Sequence, residues 1–225
     1  FSFPQVISLG IAAFPARLAY GMIGLGIFFK AEQSTDSFAI AGFAIGLNSL
    51  AGAATAGIRG SVMDRWGQKW PLRILVPSYT VLILVLNQMD TARSILIAAF
   101  VLGITAPPIN LSVRPLWKDI VPPTYLRTAY AFDSAMMSST SVLGPVVVTS
   151  LALSSRPYLA LDVVAALMLS GGVALGLTRV SRNWIPEKKV KGQERLLKNR
   201  AIHTLMFEGC FIGFGWGVFD VAVPA

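Results

Sequence analysis

Three ionisable residues, Arg17, Asp133 and Glu208, stand inside long apolar stretches of this chain. An arginine near the middle of a membrane-length helix costs at least ~2.5 kcal/mol on insertion scales, so Arg17 requires a counter-ion or a watery cavity. Asp133 and Glu208 are the candidate counter-ions. A buried carboxylate has its proton affinity raised by desolvation and lowered by a nearby cation, which is how an acid is tuned to exchange protons. On that reading Glu208 or Asp133 exchanges a proton while Arg17 sets its affinity. The alternatives for Arg17 are a structural ion pair within a helical bundle and a misplaced span. Met137, Thr140 and Gly144 follow Asp133 on one face at helical spacing. Two further polar faces carry asparagines. Asn48 shares one with Gly52, Thr55 and Arg59, where it either bridges helices or touches solute. Asn110 shares the other with Gly103, Pro107 and Arg114.

Other chemistries find no support. The single cysteine, Cys210, has no disulfide, redox or zinc partner and reads as a small buried side chain. The single histidine, His203, stands at a helix start and reads as interfacial. Nothing matches a nucleophile–base pair, a phosphate loop or a metal cluster. Neither enzymatic activity nor a bound cofactor is therefore expected.

The elements that position these groups follow from composition. Hydrophobic residues make up 54% and charged residues 13% of the chain, against roughly 25% charged in ordinary soluble domains. This is the composition of an integral membrane protein in a lipid bilayer. A hydrocarbon core of about 30 Å needs roughly 20 helical residues, and the sequence predicts seven such helices, at residues 4–29, 38–58, 71–89, 94–113, 129–153, 158–178 and 201–225. The net charge of +8 does not indicate nucleic acid, because the charges lie between apolar spans and not on one soluble face.

Basic residues are unevenly divided among the connections. Fifteen of nineteen fall in the second, fourth and sixth connections, and only Lys30, Arg93 and Arg156 lie on the opposite side. By the positive-inside rule the start of the first helix and the three basic connections are cytoplasmic. The segment 179–200 is a solvated juxtamembrane linker, or in part an amphipathic helix on anionic lipid. It divides the chain into a six-helix bundle at 1–178, the linker at 179–200, and a further helix at 201–225. The first span is too long and too polar at Arg17 for a signal peptide, and with Phe1 at the start both ends read as cut.

Between the second and third spans lies a short basic hairpin, residues 60–72. Gly60, Asp64, Arg65, Gly67, Lys69 and Leu72 resemble the loop signature of the major facilitator superfamily, G-x-L-A-D-R-x-G-R-K-x-x-L. Pro107-Pro108, residues 113–117, residues 129–133 and Leu143-Gly144-Pro145 are similar to the pattern of actinobacterial-type permeases of that family. In physical terms Gly60 and Gly67 permit a tight turn, and Asp64 places an anion near the start of the third helix, where free amides and the helix dipole favour it. The sequence departs from the signature at Val62, Met63 and Gln68. The last replaces a basic residue and should weaken the charge network by one cation.

The resemblance implies an all-α membrane fold: a six-helix bundle plus the opening helix of a second, the missing bundle or a second copy completing it. It further implies a secondary transporter in the bacterial inner (plasma) membrane, moving a small organic solute by alternating access. Export coupled to a proton gradient leads. Uptake by symport or uniport is the alternative within the class, and a non-transporting scaffold or sensor the alternative outside it. Asp64 and Arg65 would act as gating residues with Arg114 as partner, unless the loop serves only to set topology.

Overall fold

The computed structural model describes residues 4–185 and 200–222. It divides the chain into two units, residues 1–186 and 187–225. Among its described residues the first unit is helix and turn: α1 (Pro4–Thr35), α2 (Phe38–Trp66), α3 (Lys69–Asn87), α4 (Ala92–Thr105), α5 (Ile109–Ile120), α6 (Leu126–Ala152), α7 (Leu159–Leu177) and the short α8 (Arg179–Asn183), with a 3-10 turn at Pro123–Tyr125. Among the described residues, six stretches are long and apolar enough to cross a membrane: Gln5–Thr35, Phe38–Trp66, Lys69–Asn87, Ala92–Ile120, Pro123–Ala152 and Leu159–Leu177.

Local chemistry explains where the helices stop. Asp36 takes a positive φ of 51° after α1, and Ser37 then caps α2 by accepting from the Ile40 amide at 3.4 Å. Thr91 caps α4 through the Ser94 amide in the same way. Gly67, at φ 74°, ends α2 in a backbone conformation that side chains disfavour, its amide bonded to Met63 O at 2.9 Å.

Helix α1 is the axis of the bundle and packs on α7, α6 and α2, while α2 packs on α4 and α3 on α7. Its buried residues alternate small and large, from Leu9, Ala13 and Ala16 to Met22, Ile27 and Phe28. The small ones let backbones approach closely, which is how membrane helices associate where lipid removes the hydrophobic drive. A Cβ on Gly21 would stand 2.5 Å from Thr140 O, and one on Gly144 would stand 2.6 Å from Gly21 C. Gly144 therefore has a packing reason independent of any transport motif.

Several boundaries differ from the sequence expectation. Helix α1 runs six residues past Phe29, to Thr35. The hairpin at 60–72 is mostly helix: α2 continues to Trp66, and only Gly67 and Gln68 form the turn. Gly60 lies inside α2, and a Cβ there would meet nothing within 4 Å, so no turn requires it. The expected span 94–113 is broken at Ala106–Pro108, where two consecutive prolines remove amide donors, and its second part continues as α5. The second unit contains α9 (Arg200–Ala222), 23 residues long, or about 34 Å at ~1.5 Å per residue. Residues 186–199, most of the expected linker, lie outside the described residues.

Gly21→Ala should lower the stability of the purified protein by about 1–3 kcal/mol, because the backbone of α6 cannot yield to the new methyl group. Gly46→Ala, where a Cβ meets open space, should leave it unchanged or slightly raised. Heating each variant and following the loss of folded protein by fluorescence-detected gel filtration checks the ordering.

Candidate functional site: a carboxylate between two guanidinium groups

The parallel register of α1 and α6 sets the geometry of the charged residues. Gly10 faces Met136 and Phe132, and Gly21 faces Thr140 and Gly144. Asp133 is thus level with the beginning of α1, below the backbone of Arg17. Helical side chains lean toward the N-terminus, so the long Arg17 side chain reaches back along α1 and places Nη2 2.7 Å from Asp133 Oδ1. The other carboxylate oxygen, Oδ2, faces Arg114 Nε on α5 at 3.5 Å. Asp133 is 0% exposed and Arg17 2% exposed, whereas the Arg114 side chain is 62% exposed. One anion is therefore held between two cations from two different helices.

Charge dominates alignment in this cluster. The Arg17–Asp133 contact is short but lacks hydrogen-bond geometry, and Arg17 Nε and Nη1 are buried with no hydrogen-bond partner among the described residues. The guanidinium retains donors for a further acceptor, such as water or an anionic group.

A second polar cluster sits at the break between α4 and α5. The carbonyl of Ala106 accepts from Arg59 Nη1, and Arg59 Nη2 donates to Gly52 O at 2.6 Å. The carbonyl of Pro107 accepts from the Tyr20 hydroxyl, whose ring stacks on Tyr79 at 6.3 Å. Helices α1 and α2 thus satisfy backbone groups that the prolines turn out of the helical ladder, as any carbonyl at membrane depth must be satisfied. Asn48 Nδ2 donates to Ala99 O at 2.9 Å and bridges α2 to α4. Asn110, in the first turn of α5, has a buried Oδ1 with no partner among the described residues. The sequence puts Arg59 on the Asn48 face and counts it among the cations of the second connection, whereas it lies within α2 and bonds the Ala106 and Gly52 carbonyls; Tyr20 carries no sequence signal because its partner is a backbone atom of another helix.

The signature residues near the α2–α3 turn occupy other positions than expected. Asp64 lies in the last turn of α2, exposed, instead of at the start of α3. Arg65 beside it is exposed as well. Arg114, expected as their partner, turns to Asp133. Lys69 is exposed in the first turn of α3, with Nζ 5.8 Å from the Trp70 ring centroid. Gln68 is fully buried: its Nε2 donates to Ser112 O at 2.8 Å, and its Oε1 accepts from Ser181 Oγ at 3.1 Å. The neutral residue at this position joins the turn to α5 and α8, a role open to its amide because the amide both donates and accepts. Glu208 belongs to the second unit, where it is exposed on α9, as are His203 and Cys210. Cys210 is thus not the buried side chain expected.

A profile of the Major Facilitator Superfamily matches residues 9–225. The chain belongs to this superfamily. It is similar to the "Uncharacterized MFS-type transporter y4rN" of Sinorhizobium fredii (strain NBRC 101917 / NGR234), at 24% identity over 234 residues covering 98% of this chain and 57% of the relative. The chain thus spans little more than half the length of the curated relative it matches. No solved structure matches it. Family membership together with six membrane-length helices makes this facilitator chain part of an all-α, multi-pass membrane protein, as the loop signature implied.

In this facilitator the break between α4 and α5 depends more on Arg59 than on Tyr20, because the Pro107 carbonyl also accepts from the Ile109 amide at 2.8 Å. Arg59→Met should cost about 1–3 kcal/mol by stranding the Ala106 carbonyl, and Tyr20→Phe about 0.5–1.5 kcal/mol. Denaturant titration in detergent, read by tryptophan fluorescence, checks that order.

Proposed function

We propose that this chain supplies the first six-helix bundle, residues 1–178, the cytoplasmic linker, residues 179–200, and the opening helix of the second bundle, residues 201–225, of a secondary transporter. The whole protein moves a small organic solute across the bacterial inner membrane by alternating access of two bundles around a site at their junction. Proton-coupled export is its mode. The lysine and arginine asymmetry supports a cytoplasmic N-terminus and linker.

The observation that carries this reading is the buried Asp133 between Arg17 and Arg114. A structural ion pair needs one partner for one charge. Here two cations oppose one anion, and Arg17 keeps unpartnered donors. Protonating Asp133 would remove the charge that offsets both guanidinium groups, release Arg114, whose side chain is largely exposed, and free Arg17 for another acceptor. Glu208 on α9 is the second candidate acid. Asn110, with its unpartnered Oδ1, is a polar contact for solute on the helix that carries Arg114. Asn48 already has a structural bond, which makes it a weaker contact. Asp64 and Arg65, exposed at the end of α2, are available for a gating contact with the second bundle, while Gly67, Lys69 and Gly60 complete the signature around them.

Vesicles containing the full-length protein and loaded with a panel of labelled compounds test the proposal. At least one compound should move only under an imposed proton gradient. Asp133→Asn or Glu208→Gln should abolish the gradient-driven movement while leaving solute exchange intact. If both variants keep the parent rate, neither acid carries the proton; if no compound moves under any gradient, the protein is a scaffold.

A further inference from the structure

Helices α3 and α7 touch closely at Gly172 and then part. A Cβ on Gly172 would stand 2.5 Å from Val76 Cγ1, whereas a Cβ on Gly176, one turn on, would meet nothing within 4 Å. The space between them is a cavity of about 200 Å³ with Leu72, Pro77, Gly172, Gly176 and Leu177 among its walls and Arg73 as its one charged lining residue. Its apolar walls suit a hydrocarbon chain and offer a polar solute nothing to bond.

The rim has the opposite character. Arg73 is exposed, with its guanidinium carbon 5.9 Å from the Trp70 ring centroid, and Lys69 Nζ lies 5.8 Å from the same ring. Neither cation forms an ion pair among the described residues. The Ser181–Gln68 hydrogen bond of 3.1 Å holds α8 against the α2–α3 turn, which brings the exposed Arg179 and Arg182 to the same end of the bundle. An exposed tryptophan among cations at a helix end is the composition of a membrane–water boundary, and basic pockets between membrane helices attract anionic headgroups.

We propose that this groove retains an anionic phospholipid, with one acyl chain lying over Gly176 between α3 and α7 and its phosphate held by Arg73 and Lys69. Arg73 supplies a planar fork matched to phosphate oxygens, and Lys69 a second positive charge. Gly176 leaves the space beside it open, and a bulky side chain there would fill it. The site faces away from Asp133 in function: it needs neither solute nor gradient, and its occupancy is independent of transport.

The test uses the purified full-length protein reconstituted in vesicles of phosphatidylglycerol and phosphatidylcholine in equal amounts. The protein is re-extracted in mild detergent and its retained lipid is weighed by mass spectrometry. Retained phosphatidylglycerol should exceed phosphatidylcholine on the order of fivefold, the effect of about one interfacial cation. Arg73→Gln should return the ratio toward that of the vesicle without loss of bound lipid, and Gly176→Phe should remove the bound lipid. A retained ratio equal to that of the vesicle, or a Gly176→Phe protein holding as much phosphatidylglycerol as the parent, overturns the proposal. Should the phenylalanine variant not fold, Arg73→Gln at its exposed position still decides, because unchanged enrichment there also overturns it.

Discussion

A carboxylate with no exposed surface cannot stand unpaired at membrane depth, and the arrangement of α1, α5 and α6 follows from that constraint on Asp133. Desolvating an ion is expensive, and only well-placed opposite charge offsets it. Arg17 answers from α1 by reaching one to two turns back toward the N-terminal end, and Arg114 answers from α5. The Arg17 contact requires α1 and α6 to run parallel in close register, which the Gly21–Gly144 contact fixes. Charge pairing and glycine packing are thus two views of one helix interface.

The broken fourth span belongs to the same design. Two prolines at 107 and 108 end α4 and restart the chain as α5, which carries Asn110 and Arg114. The break would be costly in lipid were its carbonyls not taken by Arg59 and Tyr20. These side chains hold the orientation of α5 and so the position of Arg114 relative to Asp133. Gln68, bonded to Ser112 in the first turn of the same helix, ties that end to the α2–α3 turn. One hydrogen bond to α5 and one ion pair from it thereby link the family's signature turn to the buried acid.

Much of the fold was legible in the sequence, because a bilayer allows few solutions. Apolar length located all six spans of the first unit, and the cost of an unpaired arginine pointed from Arg17 to a carboxylate, with Asp133 one of two candidates. The sequence could not choose between Asp133 and Glu208, since that choice depends on which helices touch. Helix α2 was read as ending before the signature because Gly60 suggested a turn; glycine is tolerated inside membrane helices, and only Gly67 has the positive φ that a turn requires. Asp64 moved with that boundary, from the start of one helix to the end of another. The roles of Arg59, Tyr20 and Gln68 were not legible at all, because each bonds a backbone or side-chain atom whose nearness depends on helix register. A buried glutamine where the signature has a cation read as a lost charge, yet it is a gained hydrogen-bond junction.

Pairing between Arg17 and Asp133 across the α1–α6 interface is the centre of this account, and a double-mutant cycle measures it most directly. Arg17→Met and Asp133→Leu should each lower stability by about 3–5 kcal/mol by leaving the other charge buried without its partner, and the double variant should recover most of that loss. Small, additive effects of the two substitutions would contradict it, and would mean that the two charges do not depend on one another.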